Sequence, residues 1–498
     1  MKRIVNRFLL AAVAILFTVT TSCTIQKSPV TGQSRAYGYS WEEEKEIGRE
    51  ADQQIQQQYG IYDDPELLAY VRQLGRDVLS VSHMRREDTD PKYKNTEFHF
   101  RVLNSEVVNA FALPGGYIYV TRGLLSHLNN EAQLAVVLGH EIGHVAARHA
   151  SQRVLEQQIG QIALIGGAVA GQELLGLPGQ DILNLGGTAA QLLFLRYGRD
   201  DERESDRLGV EYAALENYQA GEGAEFFNTL ERLSEQAGQN LPSFLSTHPD
   251  PGERESTIRN IAEQWRNKGY SLDKLGTEGY MRSIGGMIYG KNPREGFARN
   301  WVFYHPDLEF HFPYPEGWRL SNQPSRVVIS NEQGDAVVLM QLDADSSTPR
   351  ASVEKFVNQQ GIVVLRQSSI ESNGLPAHQA IATATTQDGT ELGIYVYGLA
   401  FEGTVYRFIS YTTQAQFENY LPEFERITTG FDRLTDTSIL TIEPVRLQVS
   451  RAGRSGSFRS FLPDNLPMEI TAEELAIVNQ VRVDDRIEKG RYLKLPEQ

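Results

Sequence analysis

Residues 138–149 read Leu-Gly-His-Glu-Ile-Gly-His-Val-Ala-Ala-Arg-His, and the rest of the chain is best read outward from them. Within the stretch, His140-Glu141-Ile142-Gly143-His144 is an H-E-x-x-H pattern, which chance would place roughly 0.03 times in a chain of this composition. From Glu131 onward the apolar residues Leu134, Leu138 and Val145 lie along one helical face. Asn130 and Gln133 form a plausible cap, so the spacing predicts an amphipathic helix. Residues i and i+4 share a helical face, so His140 and His144 can both reach one metal ion; the expectation is one zinc ion per chain. Glu141 lies one residue round, where it can take a proton from water at the metal and return it to a leaving amine.

A third ligand is needed. His149 stands five residues after His144, roughly 140° round the same helix, which suits a surface or supporting residue better than a ligand. The acidic helix Glu202-Arg203-Glu204-Ser205-Asp206 is the better source. Glu202 and Asp206 are i, i+4 and share a face, while Glu204 points away. One carboxylate, expected to be Glu202, can ligate zinc while the other holds a ligand imidazole by its free N–H.

Composition sets the limits around this centre. At 498 residues the chain is long enough for about three domains. Forty per cent hydrophobic residues against 22% charged allow real cores. A net charge of −16 argues against a nucleic-acid partner, which would require a basic stripe. The single cysteine excludes a disulfide framework and a cysteine-based zinc ribbon. That cysteine, Cys23, follows Lys2, Arg3, Arg7 and an apolar run from Phe8 to about Val19, which together resemble a bacterial lipoprotein signal. Residues 1–22 are then a cleaved signal peptide, and Cys23 becomes the lipidated first residue. Thr24 differs from the aspartate of an inner-membrane retention signal, so the expected location is the outer membrane of a Gram-negative-type envelope, facing the periplasm. A tri-acylated anchor exceeds the two-chain threshold for stable attachment.

Residues 23–40 read as a polar tether, and Ser40-Trp41-Glu42-Glu43 as a capping box opening a helix to about Gln58. Phe98, Phe100 and Val102 alternate as a strand, and Asn109–Leu113, Pro114-Gly115-Gly116 and Tyr117–Thr121 read as a hairpin. The Gly-, Ala- and Leu-rich stretch Ile159–Leu195 is too interrupted to span a membrane and reads as buried helices wrapping the site. Past about Arg299 the texture changes to short alternating strands, which set off a separate α+β domain at 299–434. A short connector leads to a final small module at 445–496. His305, His311 and His378 are isolated and read as structural.

NAFALPGGYIYVTRGLL (Asn109–Leu125), LGHEIGHVAARH (Leu138–His149) and ERESDRLGVEYA (Glu202–Ala213) resemble peptidase family M forty-eight, zinc metallopeptidases of the HtpX and CAAX prenyl protease type. With PVTG (Pro29–Gly32) and THPDPGER (Thr247–Arg254), the likeness covers about residues 28–270 and looks like the family's periplasmic lipoprotein branch. It implies a multidomain chain headed by a mainly α-helical, gluzincin-type metallopeptidase domain with a small β-sheet at 41–298. It also implies His140, His144 and Glu202 as zinc ligands, Glu141 as the base and Asp206 as the partner of an imidazole. Residues 299–434 resemble a PsbP/Mog-like α+β module and 445–496 a degenerate LysM-like α/β module. The strand Asn109, Ala110, Phe111, Ala112 and Leu113 is expected as an exposed edge beside the active-site helix, open to peptide addition.

In Ser246-Thr247-His248-Pro249 the proline pushes His248 toward an extended loop. By the resemblance that loop aims His248 at the zinc site, where it is either an oxyanion donor or a fourth ligand that closes the site at rest; we favour the second. The expected function is that of a zinc-dependent endopeptidase of the bacterial cell envelope, degrading misfolded or unassembled envelope proteins. Its partners would be polypeptide substrates, the membrane through the lipid anchor, and peptidoglycan or envelope assembly machinery. The alternative is an envelope assembly chaperone or binding protein with a closed, mainly structural zinc site.

Overall fold

The helix that carries His140 begins where the cap pair places it. Asn130 accepts the Gln133 backbone N–H at 2.9 Å, and the Gln133 side chain accepts the Asn129 N–H at 2.7 Å. The structure, a computed structural model, describes residues 24–157, 197–237, 243–248, 251–386, 389–467 and 470–497. The signal segment 1–22, Cys23 and the stretch Ile159–Leu195 lie outside the described residues. Four helices frame the centre: α1 (Trp41–Tyr59), α2 (Glu131–Ala147), α3 (Arg199–Leu215) and α4 (Pro251–Asn267). The Ser40 capping box opens α1 as the sequence predicts.

Glycines decide how closely α2 and α3 cross. A Cβ on Gly139 would sit 3.0 Å from both Cα and O of Gly209. One on Gly209 would fall 2.8 Å from Val136 O and 2.9 Å from His140 N. The two backbones therefore touch, and the turn of α3 bearing Glu202 and Asp206 is drawn onto the turn of α2 bearing His140 and His144. No residue with a side chain fits at either glycine without moving a helix.

A mixed three-stranded sheet lies beside α2, in the order β3 (His99–Leu103), β5 (Tyr117–Thr121), β4 (Ala110–Leu113). β3 runs parallel to β5 and β4 antiparallel to it. The hairpin turn takes φ +79° at Gly115 and +102° at Gly116, and α1 presses so close that a Cβ on Gly48 would meet Pro114 O at 1.9 Å. β4 is the edge strand by topology, but the expected exposure is not found. Ala110, Phe111, Ala112 and Leu113 are all buried, as is Asn109. Phe111 and Leu113 pack with Ala51 and Ile55 of α1, while Ala110 and Ala112 join the main core, so both faces are covered.

Residues 24–40, the described part of the expected tether, are not loose either. β1 (Thr24–Lys27) and β2 (Ser34–Tyr37) pair antiparallel in register Thr24↔Tyr37. Tyr37 is buried against Arg148, whose guanidinium lies 3.7 Å from its ring centroid. Arg148, left-handed at φ +61°, caps the C-terminus of α2. It also donates to Glu44 at 2.8 and 2.6 Å and to Tyr39 O at 2.7 Å. The hairpin and α1 are thereby fixed to the end of α2.

Downstream, a seven-stranded antiparallel sheet runs Ile362–Ser372, Leu375–Thr385, Glu391–Phe401, Thr404–Thr413, Val337–Leu342, Arg326–Ser330, Arg319–Gln323. Alternation along Thr404–Thr413 sends Ile409 to α5 (Pro349–Val357) on one face and Phe408 to α6 (Phe417–Thr429) on the other. A four-stranded sheet beside it begins at Phe297, two residues before the boundary expected at 299.

In the last module, Arg446–Arg451 pairs with Tyr492–Glu497 around α7 (Ala472–Val478). Its Leu447, Phe458, Leu475 and Leu493 belong to the same hydrophobic cluster as Leu134 and Leu138 of α2. Buried Lys494 donates to the carbonyls of Ser126 and Leu128 at 2.6 and 2.8 Å, and Gln480 meets Gln133, in the first turn of α2, at 2.9 Å. Among the described residues no helix is long and apolar enough to cross a membrane.

Replacing Gly209 with Ala should force α2 and α3 apart at a cost of about 1–3 kcal/mol. The expected outcome is a lower melting temperature together with weaker metal retention, read by circular dichroism and by zinc analysis after dialysis. Wild-type values for both would show that the crossing tolerates a side chain.

Candidate metal centre

His140 and His144, one turn apart on α2, bring their Nε2 atoms to 2.9 Å. Glu202 of α3 completes a triangle, its carboxylate oxygens 3.5 Å from His140 Nε2 and 3.5 Å from His144 Nε2. Ligands about 2.0–2.1 Å from a tetrahedral zinc stand about 3.3 Å apart, so the triangle is the size the ion needs. His248 joins it: one ligand atom from each of His140, His144, Glu202 and His248 lies within 4.8 Å of the others, and all four residues are buried. His248 Nδ1 is 3.0 Å from Glu202 Oε1 and 3.3 Å from His140 Nε2.

The surroundings aim these donors inward. Asp206 Oδ1 lies 2.9 Å from His140 Nδ1, which fixes that proton on Nδ1 and leaves the Nε2 lone pair facing the centre. Burial works against the Asp206 charge, yet the Arg254 guanidinium and the His140 hydrogen bond hold its carboxyl down to about 2. Arg254 grips Asp206 through Nε at 2.8 Å and Nη2 at 2.5 Å, and its Nη1 stands 3.0 Å from Glu202. Burial and the neighbouring imidazoles push His144 well below the usual histidine range, so it is a neutral donor. On its other side, His149 Nδ1 lies 3.0 Å from His144 Nδ1, and His149 Nε2 lies 3.3 Å from Glu204. Tyr197 stacks on His144 with centroids 4.0 Å apart, and Phe244 on His248 at 4.5 Å.

Glu141 is fully buried, which raises its carboxyl above the usual range, and neither oxygen has a hydrogen-bond partner among the described residues. The His248 Nε2 atom lies 3.7 Å from Glu141 Oε1. Glu141, Glu202 and Asp206 set three carboxyl groups against the single guanidinium of Arg254, an acidic excess that a divalent cation would offset. Donor chemistry, spacing and charge all fit zinc.

Sequence reasoning thus brought His140, His144, Glu202, Asp206, Glu141 and His248 to one place. His248, expected on an extended loop, instead closes a helical turn, its N–H bonded to Phe244 O at 2.8 Å. His149, set aside as surface or support, is buried against His144; Glu204 stays out of the cluster but orients His149. Arg254 was missed as a functional residue, although it ends the Thr247–Arg254 motif, the only signal for it. Nothing in the sequence marked Tyr197 or Phe244. A cleft of about 1220 Å³ lies where the three modules meet, and none of the four clustered residues lines it.

A helix bearing H-E-x-x-H, crossed by a second helix that supplies a glutamate, defines a metallopeptidase-type centre. The comparison with known families agrees. Residues 70–262 match the family model described as Peptidase family M48. Its relatives include the beta-barrel assembly-enhancing proteases of Yersinia pestis, 30% identical over 48% of this chain and 48% of that one, and of Escherichia coli K12, 30% identical over 48% and 47%. The mitochondrial metalloendopeptidase OMA1 of Bos taurus is 28% identical over 51% of this chain and 49% of its own. The chain spans about half the length of these relatives. Among solved structures, the cyanobacterial PsbP of Synechocystis covers 26% of this chain and 91% of its own at 14% identity, but its TM-score of 0.23 assigns no fold.

Arg254→Ala should leave the Asp206 charge buried with only His140 to balance it, loosening the imidazole that Asp206 orients. Zinc affinity, measured by competition with a chromogenic chelator, is expected to fall 10–100-fold. An unchanged affinity would mean that Asp206 orients His140 without help.

Proposed function

We propose that this chain is a zinc-dependent endopeptidase of gluzincin type, acting on misfolded or unassembled proteins of the bacterial envelope. The observation that carries the reading is Glu141: a buried carboxyl group with no hydrogen-bond partner among the described residues, beside a cluster of donors that fits zinc. A purely structural site has no use for such a group. When bound, zinc would supply a Lewis acid for the scissile carbonyl and for water. Glu141 would take the proton from the attacking water and hand it to the departing amine. Asp206 and Arg254 together would keep His140 in the tautomer that binds metal, and His149 would do the same for His144. The beta-barrel assembly-enhancing proteases among the relatives support a role in envelope protein quality control.

His248 adds a second layer to this reading. Its Nδ1 stands among the ligand atoms, which supports a fourth donor that closes the centre at rest. Substrate or a partner would then displace it. On this reading the centre is latent rather than structural, which distinguishes it from the closed site of a chaperone. For the remaining modules we keep the PsbP/Mog-like reading of 299–434 and the LysM-like reading of 445–496, the latter with peptidoglycan as a candidate ligand. Anchoring through Cys23 at the periplasmic face of the outer membrane follows from the signal sequence.

Glu141→Gln should keep zinc and fold while cleavage of an unfolded protein substrate drops by roughly 10² or more in kcat. In the same assay, His248→Ala should raise basal cleavage with zinc retained; a loss of kcat would make His248 an oxyanion donor instead. Undiminished cleavage by the Glu141 variant would sink the enzymatic reading.

Cys23→Ser is expected to move the protein from the membrane pellet to the soluble periplasmic fraction. Continued sedimentation that resists salt would place the anchor elsewhere.

A further inference from the structure

The strand Ile362–Ser372 ends the seven-stranded sheet, and among the described residues it is hydrogen-bonded on one side only, to Leu375–Thr385. Natural edge strands are blunted by lysine, proline, bulges or covering elements, because an open row of N–H and C=O groups recruits other chains. At the opposite edge, Arg319–Gln323, the Asn322 side chain donates to the carbonyls of Glu295 and Gly296 at 2.8 and 3.1 Å. Ile362–Ser372 carries no lysine and no proline, and its only charged residues are Arg366 and Glu371. A bulge interrupts the pairing between Val364 and Arg366, leaving Leu365 without a cross-strand partner. Around it Val363, Val364 and Leu365 are 61%, 38% and 60% exposed, three apolar side chains in a row at the surface. Beyond the bulge the register is regular from Arg366 to Ser372.

We propose that this edge is a docking site for extended, apolar, weakly charged segments of unfolded polypeptide, which add to the sheet as a further strand. The main chain of an open edge is hydrated when free, and the partner that matches its row of N–H and C=O groups in register is another extended main chain, which points to polypeptide in β conformation. The side chains flanking the edge fix its character, because they offer apolar contact and almost no charge. A second copy of this chain fits less well. An eleven-residue strand is about 37 Å long at about 3.4 Å per residue, and one added strand is about 10 Å across. The contact is then on the order of 400 Å² per partner, half of the ~800 Å² that stable dimers bury on each side. So small a contact suits capture and release. Building on the endopeptidase reading, the edge would hold an unfolded chain near the enzyme between cuts, lowering KM for long substrates without touching the chemistry.

The test uses the full chain with Glu141→Gln, which cannot consume its ligand, and fluorescein-labelled reduced, carboxamidomethylated α-lactalbumin as a permanently unfolded probe, in salt high enough to screen the added lysine charges. Val363→Lys combined with Leu365→Lys should weaken binding at least fivefold by fluorescence anisotropy, with circular dichroism and zinc content unchanged. Should the pair disturb folding, Leu365→Lys alone, at the bulge, gives the same reading. In the Glu141 background that cleaves, KM for the unfolded protein should rise by a similar factor, while kcat/KM for an eight-residue fluorogenic peptide stays constant. Unchanged probe affinity in the lysine variants would overturn the proposal. So would a concentration-dependent dimer, seen by sedimentation velocity, that the lysines dissociate, since the edge would then belong to a second copy. If no substrate is cleaved at all, the peptidase reading falls, yet the anisotropy still decides what the edge binds.

Discussion

The close crossing of α2 and α3 is the constraint on which the centre depends. Gly139 and Gly209 let the two backbones meet with no side chain between them. That contact is what places Glu202 within 3.5 Å of both histidine Nε2 atoms and Asp206 within 2.9 Å of His140 Nδ1. The three ligands come from two rigid helices, whose side chains need few rotamer adjustments to meet one ion. Small residues here do not provide flexibility; they remove the spacer that would keep the donors apart.

Burial then turns geometry into chemistry. Every charged group at the centre is shielded from water, so each must find an opposite charge or change its protonation. Asp206 finds Arg254 and stays ionised. His144, surrounded by other imidazoles and by Arg254, stays neutral. Glu141 makes no hydrogen bond to a guanidinium or any other donor among the described residues, and burial outweighs the nearby His248 and Arg254 to raise its carboxyl, as befits a group that must gain and lose a proton. The same low-dielectric pocket thus gives its members different protonation states according to which neighbour each one meets.

Much of this could be read from the sequence because it rests on local periodicity. H-E-x-x-H and the i, i+4 pair Glu202 and Asp206 need only helical spacing to be recognised, and the caps at Ser40 and Asn130 are local too. What escaped notice depends on contacts between distant segments. Arg254 reaches Asp206 across 48 positions, and Arg148 finds Glu44 across 104. Residues 28–39 look polar and Gly-rich in isolation, and only the burial of Tyr37 under Arg148 shows a docked hairpin. The strand Ala110–Leu113 is an edge by pairing, as its hairpin pattern predicts, but the covering of its faces by α1 and the main core could not be read from four apolar residues.

The placement of Lys494 bears on how the molecule comes into being. A chain made from its N-terminus presents α2 some 350 residues before the strand that carries Lys494, and until that strand exists the Ser126 and Leu128 carbonyls lack their ammonium partner. Leu447, Leu475 and Leu493 are likewise missing from the core that Leu134 and Leu138 share. Such long sequence separation makes closure slow and late. Until that strand is in place, the first turn of the histidine helix lacks the contacts that close its packing, and the whole sheet domain lies in sequence between it and its clasp. The order of assembly itself delays full packing of the metal-site framework until the strand that carries Lys494 has emerged.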